Sequence, residues 1–506
     1  MDLQATVESL CGFAGRSAGS DAERRAADWL RDRAGAGKRE AELEVHWVRP
    51  HWSTIHLVHA LAGVVGSLVS TASAIAGVAI VAVAFLSTLL ELGGRPSVGR
   101  LLSFRRATQN VVAPPPRARS RRVRLVVVAA YDAAQRGLVF RPTFRRWDAA
   151  MRAATRGWWP PPLLWMALAL ALLTATTGVR AAGYDPSWLS VVQLVPTVAL
   201  LVAIALLADV SLSDPSPDAS GASAVAVALN LVQALDEQPP ARLDVELVLA
   251  GAGDGPALGV GAYVRKRRRR WDAARLAFLE IRPCSGGRPA FWVTDGPLVP
   301  LRLHPRLIEL VRGADPAAPG QRGRDASAAY RARQARWPAV AVGALDERGI
   351  VPHRRAADDE PGTVDANSME ATLELCVAVI TALDEDLARR EQSDGAEAMQ
   401  GAGREHSERE KEATQAAGRE HSDRAERKQS DRTEATPGAE HEQSDSADAP
   451  RAAEREQSDR TEAPRAAERE QSDRAEAPQD AERKQSDHAQ ATHGADHEPT
   501  EEDPAQ

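Results

Sequence analysis

Five aspartates stand where side chains could do chemistry. Asp132 follows an apolar stretch, Asp218 opens Asp-Ala-Ser-Gly, Asp254 lies between two glycines, and Asp358 and Asp359 close a run that contains His353. Carboxylates and an imidazole of this kind ligate metal ions or serve as general acid and base. The plainer alternative is that all five are solvated loop carboxylates and His353 a loop histidine. Ser220, in Asp-Ala-Ser-Gly, lacks the strand–elbow–helix setting of a Gly-x-Ser-x-Gly nucleophile, which argues against a serine hydrolase. The strongest cationic feature is the run Arg265, Lys266, Arg267, Arg268, Arg269, Arg270. Beside an anionic leaflet each such residue is worth about 1 kcal/mol. No aromatic residues interleave with it, so lipid is expected as its partner rather than nucleic acid, with a solvated helix end as the neutral alternative. Cys11, Cys284 and Cys376 are too few and too scattered for a disulfide framework or a zinc ribbon.

The elements that must position these residues alternate between strand and helix. Ser20-Asp-Ala-Glu23 reads as a capping box that opens a helix through Leu30. Strands are expected at Glu42–Val48, Gln109–Ala113, Val123–Tyr131, Leu243–Ala250, Leu276–Ile281, Phe291–Val293 and Ala339–Leu345. The stretch VRLVVVAAY is apolar on both faces, as a central strand is. Helices are expected over Ala222–Leu235, through Tyr263, over Leu301–Arg312, and over Asp365–Leu387. The pattern predicts an α/β fold, a three-layer sandwich around a mixed, mostly parallel sheet.

Two apolar stretches interrupt that domain. Ile55–Leu90 is too long for one span of a hydrocarbon core roughly 30 Å thick and reads as two helices turning near Ser70–Ser73. Leu163–Val179 and Leu189–Ala208 form the second pair, so four transmembrane helices are expected. Trp47, Trp52, Trp158, Trp159, Trp165 and Trp188 flank the span ends, where amphipathic rings settle. Between the pairs, residues 92–162 carry 15 Arg against 2 Asp. That bias places the N-terminus, the α/β domain and the C-terminal tail in the cytoplasm, with the chain integral to the cell inner membrane. The first residues are polar and acidic, without the pattern of a secretory leader. The spans offer little polar lining, with Gln193 the one strongly polar group noted, which argues against a transporter.

Residues 401–506 contain no Val, Ile, Leu, Phe, Trp, Tyr, Cys or Met and carry 16 basic against 29 acidic residues. Their net −13 leaves +6 on the rest of a chain whose total is −7. Gln-Ser-Asp recurs every 14 residues from Gln429 to Gln485. With no apolar seam a coiled coil fails, and a disordered, low-complexity tail is expected over residues 390–506. The expected organisation is a discontinuous domain of residues 1–54, 92–162 and 209–389, with transmembrane hairpins at 55–91 and 163–208.

Six segments in order, RSAGSDAERRAADWL, TQNVV, VVVAAYDA, PDASGASAVAVAL, LVLAGAGDGPALGVGAYV and HRRAADDEPGTVD, resemble the M28 zinc peptidases over roughly Leu3–Ala388. The resemblance implies a two-zinc aminopeptidase site, with a carboxylate base that activates bound water. Carried over residue by residue, the ligand positions are Ala130, Pro217, Asp254, Arg282 and Arg355, and the base position is Gly253. Asp132, Asp218, Asp254, His353 and Asp359 are the candidate remnants. A guanidinium 4 Å from a zinc ion, at an effective dielectric near 20, is repelled by about 8 kcal/mol. The expectation is therefore a non-catalytic module with no cofactor, in which Arg282 replaces the metal charge and pairs with Asp254 or Asp132. Membrane lipid and a protein at the membrane face are the expected partners. The alternative is a membrane-bound zinc aminopeptidase with a remodelled site, and only that alternative calls for zinc. Strand direction further predicts that both hairpins leave from the sheet edge where the zinc site would lie.

Overall fold

The computed structural model describes residues 2–116 and 123–433. The chain divides into two units, Met1–Gln415 and Ala416–Gln506. Nine strands form one sheet in the first unit. They are β1 (Glu42–Val48), β2 (Arg106–Ala113), β3 (Val123–Ala130), β4 (Leu243–Ala250), β5 (Leu276–Ile281), β6 (Arg288–Asp295), β7 (Leu301–Arg302), β8 (Gly320–Arg322) and β9 (Ala339–Leu345). Their order is β1-β2-β4-β3-β5-β9-β6-β7, with β8 paired to β6. The centre, β4-β3-β5-β9, is parallel, and β1, β2, β6 and β7 join by antiparallel pairing. Every residue of β4 is buried, Asp244 and Glu246 included, so both faces of the central sheet are covered. This is the expected mixed α/β sandwich.

Thirteen helices are described: α1 (Leu3–Cys11), α2 (Asp21–Gly35), α3 (Trp52–Ala72), α4 (Ala74–Leu92), α5 (Val98–Leu102), α6 (Pro142–Ala154), α7 (Pro162–Ala181), α8 (Ser187–Leu212), α9 (Ala219–Glu237), α10 (Leu258–Arg267), α11 (Pro305–Ala314), α12 (Ala328–Gln334) and α13 (Ala366–Thr433). Because β1 is antiparallel to β2 and β2 to β4, β1 runs with β3, β4 and β5. Their carboxyl ends, Val48, Ala130, Ala250 and Ile281, therefore share one edge. The apolar helix α3 leaves from that edge only three residues after β1.

Among the described residues, six helices are long and apolar enough to cross a membrane: α3, α4, α7, α8, α9 and the Ala366–Ser393 part of α13. Two of them have another use for their apolar surface. Val225, Leu229 and Val232 of α9, with Met369, Cys376 and Ile380 of α13, are buried in the core built on the sheet. The other four form a separate cluster through Ala60, Val81, Leu170 and Leu200. They also leave Leu68, Ile75, Val191, Val195 and Val202 exposed. The break between α3 and α4 falls at Ser73, inside the expected turn.

Several boundaries differ from expectation. The segment read as a helix from Leu301 starts as the short strand β7, and the helix begins at Pro305, a residue suited to a first helical turn. The strand read as Phe291–Val293 extends over Arg288–Asp295 because it is held on three sides, by β7, β8 and β9. The expected disordered tail from residue 390 is corrected over its first part, since α13 continues to Thr433. Ala, Glu, Arg, Lys and Gln dominate that stretch and favour helix without any apolar face. Residues 434–506, which hold most of the Gln-Ser-Asp repeats, lie outside the described residues. All three cysteines are free.

Small residues let α3 and α4 approach closely, as helices do where lipid supplies no hydrophobic drive. A Cβ added to Gly77 would lie 2.4 Å from the Ser70 Cα, whereas one at Gly178 would meet only Val78, at 3.9 Å. Gly77→Ala is therefore expected to lower the melting temperature of the detergent-solubilised chain by several degrees. Gly178→Ala should leave it unchanged or raise it, by the helix-propensity gain of about 1 kcal/mol.

Candidate functional site

At the carboxyl edge the remnant carboxylates fall into two neighbouring groups. Asp132, just past β3, is buried and accepts the amides of Gly253 at 2.5 Å and Asp254 at 3.0 Å. Burial pushes its carboxyl up to about 6. Asp254 itself takes a guanidinium from Arg355 on one oxygen and the Trp52 indole N–H, at 3.1 Å, on the other. Arg355 lies over the Phe140 ring at 4.4 Å and over the Trp52 ring at 5.8 Å. The base position is crowded: a Cβ on Gly253 would stand 2.4 Å from the Ala130 Cβ and 2.9 Å from Asp132 Oδ1.

The second group surrounds the start of α9. Arg16 is almost wholly buried and donates Nε to Tyr131 O, Nη1 to Leu10 O and Pro217 O, and Nη2 to Asp218 O. Its Nη2 also lies 3.6 Å from Asp218 Oδ2. Asp218 has φ +57°, a left-handed conformation that Asp tolerates better than most residues. Asp359 accepts the Ser220 amide at 2.8 Å and its hydroxyl at 2.7 Å, so this serine faces a carboxylate and not an imidazole. Burial, opposed by Arg16 and aided by Asp359, pushes Asp218 up to about 8, and burial raises Asp359 as well. Arg16 thus faces one of the two buried carboxyls, while Ser220 holds the other.

The sequence-predicted positions sort plainly. Asp132, Asp218, Asp254 and Asp359 are packed into the edge, which corrects the solvated-loop alternative for all four. Asp358 and His353 are exposed and bond each other at 2.9 Å. Ala130 is exposed at the end of β3, and Pro217 enters only through its carbonyl. The expected pairing of Arg282 with Asp254 or Asp132 is corrected. Arg282 binds Asp295 and, at 3.4 Å, Glu280, and lies 4.3 Å over the Trp292 ring. Glu280 in turn receives the amides of Ala328 and Ala329 at the start of α12. Arg282 points along the sheet toward β6, whose added length brings Asp295 within reach. Arg355, at the last of the family positions, is the guanidinium that meets Asp254.

Glu23 was readable only as a helix cap. Ser20 does accept the Glu23 amide, at 3.0 Å, but the Glu23 carboxylate takes Gly19 N, Thr108 Oγ1 and Ala252 N. It straps α2 to β2 and to the loop carrying Gly253. Burial, with Asp132 nearby, pushes its carboxyl up to about 8.

The residues present do not fit a zinc pair. Among the described residues no three His, Cys, Asp or Glu side chains come together as a ligand set. The one carboxylate left at a family ligand position, Asp254, is already satisfied by Arg355 and Trp52.

No family model and no curated protein sequence matches this chain. Solved structures with a similar mixed α/β fold are glutaminyl cyclases and zinc-dependent exopeptidases of the M28-like kind. A Bacteroides thetaiotaomicron glutaminyl cyclase bound to N-acetylhistamine aligns at TM-score 0.43 and 11% identity, over 75% of this chain and 96% of that one. A Zn-dependent exopeptidase from Parabacteroides distasonis aligns at 0.42 and 10%, over 76% and 96%. A leucine aminopeptidase precursor from Bacteroides thetaiotaomicron aligns at 0.42 and 11%, over 75% and 95%. Likeness at this level assigns no activity, and the site is read from its own residues.

Two predictions follow from the charges. A double-mutant cycle of Arg355→Ala with Asp254→Ala, read by chemical denaturation, should give a coupling of about 1–3 kcal/mol. The same cycle between Arg282 and Asp254 should give none, and Arg282 with Asp295 should couple strongly. Raised carboxyls make the folded chain hold protons that the unfolded chain releases near pH 4. Stability should therefore fall as pH climbs from about 4 through 8, by up to about 1.4 kcal/mol per pH unit for each such group. Asp218→Asn, which keeps the left-handed backbone, should flatten that slope in melting curves recorded from pH 5 to 8.

Proposed function

We propose that this chain is a membrane-anchored, non-catalytic relative of the M28 peptidases, a binding or scaffold module on the cytoplasmic face of the cell inner membrane. The observation that carries the proposal is the Arg355–Asp254 pair. It sets a fixed cation against the one retained ligand-position carboxylate, while the base position Gly253 has no room for a side chain. The pair supplies the charge balance that a metal would otherwise supply, and Trp52 covers it from the first apolar helix.

The membrane half of the reading has its own support. Helices α3, α4, α7 and α8 expose apolar side chains and serve no sheet, which fits four spans in two hairpins. In the turn between α7 and α8, Arg180 is bound to Asp185 at 3.0 Å, so that turn carries little net charge outward. The 15 arginines of residues 92–162 favour the other side. A polypeptide substrate would reach an edge bounded by α3 poorly, whereas lipid or a membrane protein would reach it readily.

Metal analysis of the purified chain, with peptide hydrolysis assayed before and after chelation, decides between this reading and the zinc aminopeptidase. We expect sub-stoichiometric zinc and no chelator-sensitive hydrolysis; near-stoichiometric zinc with hydrolysis lost on chelation would establish the enzyme instead. Reporter fusions after Gly99 and after Ser213 should both score as cytoplasmic and one at Tyr184 as the opposite side. An opposite-side signal at Ser213 would exclude the two-hairpin arrangement.

A further inference from the structure

A concentration of cationic side chains lies away from the zinc-site positions. A cavity of about 530 Å³ opens between the turn after α4 and the segment α10–α12. Seven arginines line it against a single carboxylate, Glu91. Glu91 is consumed by Arg100 and Ser97. Arg49 uses its Nε on Ser103 O at 2.9 Å, and Arg331 spends its donors on Pro256 O, Gly94 O and Gln334. Arg95, Arg105, Arg265 and Arg268 make no ion pair among the described residues. Burial above all, with smaller contributions from Arg100 and Arg265, pulls the Arg331 guanidinium down to about 10.

This geometry divides the basic run that the sequence presented as one patch. Lys266 and Arg267 are tied to Glu44, at 2.9 and 2.7 Å, and Arg267 covers the Tyr263 ring. Arg269 and Arg270 are exposed outside the cavity. Arg265 and Arg268, three apart on one helical side, are the two that face it. Trp47 and Leu101 line it and are 70% and 59% exposed, and Leu102 and Phe104, just after Leu101 in the chain, are exposed as well. Arginines in a hollow beside exposed Trp, Leu and Phe, at the end of an apolar hairpin, match the charge and the depth of a leaflet's phosphate layer.

We propose that this cavity binds the phosphate of an anionic phospholipid head group, so that Arg265 and Arg268 at the end of α10 and Arg95 and Arg105 of the segment between α4 and β2 grip one lipid together. Guanidinium forks suit phosphate oxygens bidentately, and four unpaired ones in one hollow can satisfy a phosphate without disturbing the pairs already made. The inference rests on the membrane placement proposed above and not on the loss of zinc chemistry. The reporter fusions fail that placement by themselves, and the titration below fails this site by itself.

The full chain, purified in a zwitterionic detergent, would be titrated with short-chain phosphatidylglycerol, short-chain phosphatidylcholine, and inorganic phosphate, with the melting temperature as readout. We expect phosphatidylglycerol to raise it saturably and phosphatidylcholine not to. Arg265→Gln with Arg268→Gln should weaken the half-saturating concentration about 30-fold, two residues at the usual strength near an anionic leaflet. Arg95→Gln with Arg105→Gln, both exposed, gives a second test should the first pair fold poorly, with the same weakening expected. Arg269→Gln with Arg270→Gln should change nothing. Equal weakening by that outer pair would mean diffuse surface charge and overturn the site. An unchanged titration in both inner pairs would also overturn it, and a shift with inorganic phosphate alone would overturn the lipid as its source.

Discussion

The edge of the sheet depends on one guanidinium. Arg16 is buried and gives hydrogen bonds to four backbone carbonyls, those of Leu10, Tyr131, Pro217 and Asp218. They belong to the end of α1, the end of β3 and the residues that start α9, three pieces far apart in the chain. Carbonyls at element ends are the groups most in need of partners, and a planar fork with five donors can meet several at once. The charge it buries is offset by Asp218 and, one step further, by Asp359, whose carboxylate holds the first turn of α9 through Ser220. Removing Arg16 would leave carbonyls and a carboxylate without partners together, which is why no single contact elsewhere carries as much of the local order.

The same logic recurs twice along the edge, with different partners each time. Arg355 closes on Asp254, and Arg282 closes on Asp295 and Glu280. Each places a permanent cation where a buried carboxylate would otherwise stand alone, and each stacks on an aromatic ring. Glu23 has no cation, its carboxyl being satisfied by two amides and a hydroxyl. The loop bearing Gly253 is thus fixed from both sides, by Asp132 and by Glu23.

Much of the frame was legible in the chain. The strands Leu243–Ala250, Leu276–Ile281 and Ala339–Leu345 lie where patterning put them, because fully buried strands leave little doubt about which residues belong to them. Strand directions then fixed the shared edge. What patterning could not reach was partner choice between charges. Arg282 and Arg355 both fell on ligand positions, and local sequence does not say which one turns toward Asp254. The answer lay in the length of β6, which decides whether Asp295 is near, and a short apolar core such as Phe291–Val293 understates that length. The helix beyond residue 390 was missed for another reason: an apolar seam was required of it, yet an exposed helix of Glu, Arg, Ala and Lys needs only propensity and i,i+4 charges. Gln193 was not the only buried polar side chain of the helix cluster either, since His56, His59, Ser67 and Thr197 are buried there too.

Trp52 gives the molecule a mechanical property. It is the first residue of α3, it follows β1 by three residues, and its indole is bonded to a carboxylate on the loop after β4. A helix held at its first turn in this way has no swivel. The chain between sheet and hairpin is a rigid mount, and the direction in which α3 points also fixes which way the carboxyl edge faces. Rotating that helix about its axis breaks the indole bond first, so the mount and the charge lock at Asp254 are set or released as one piece.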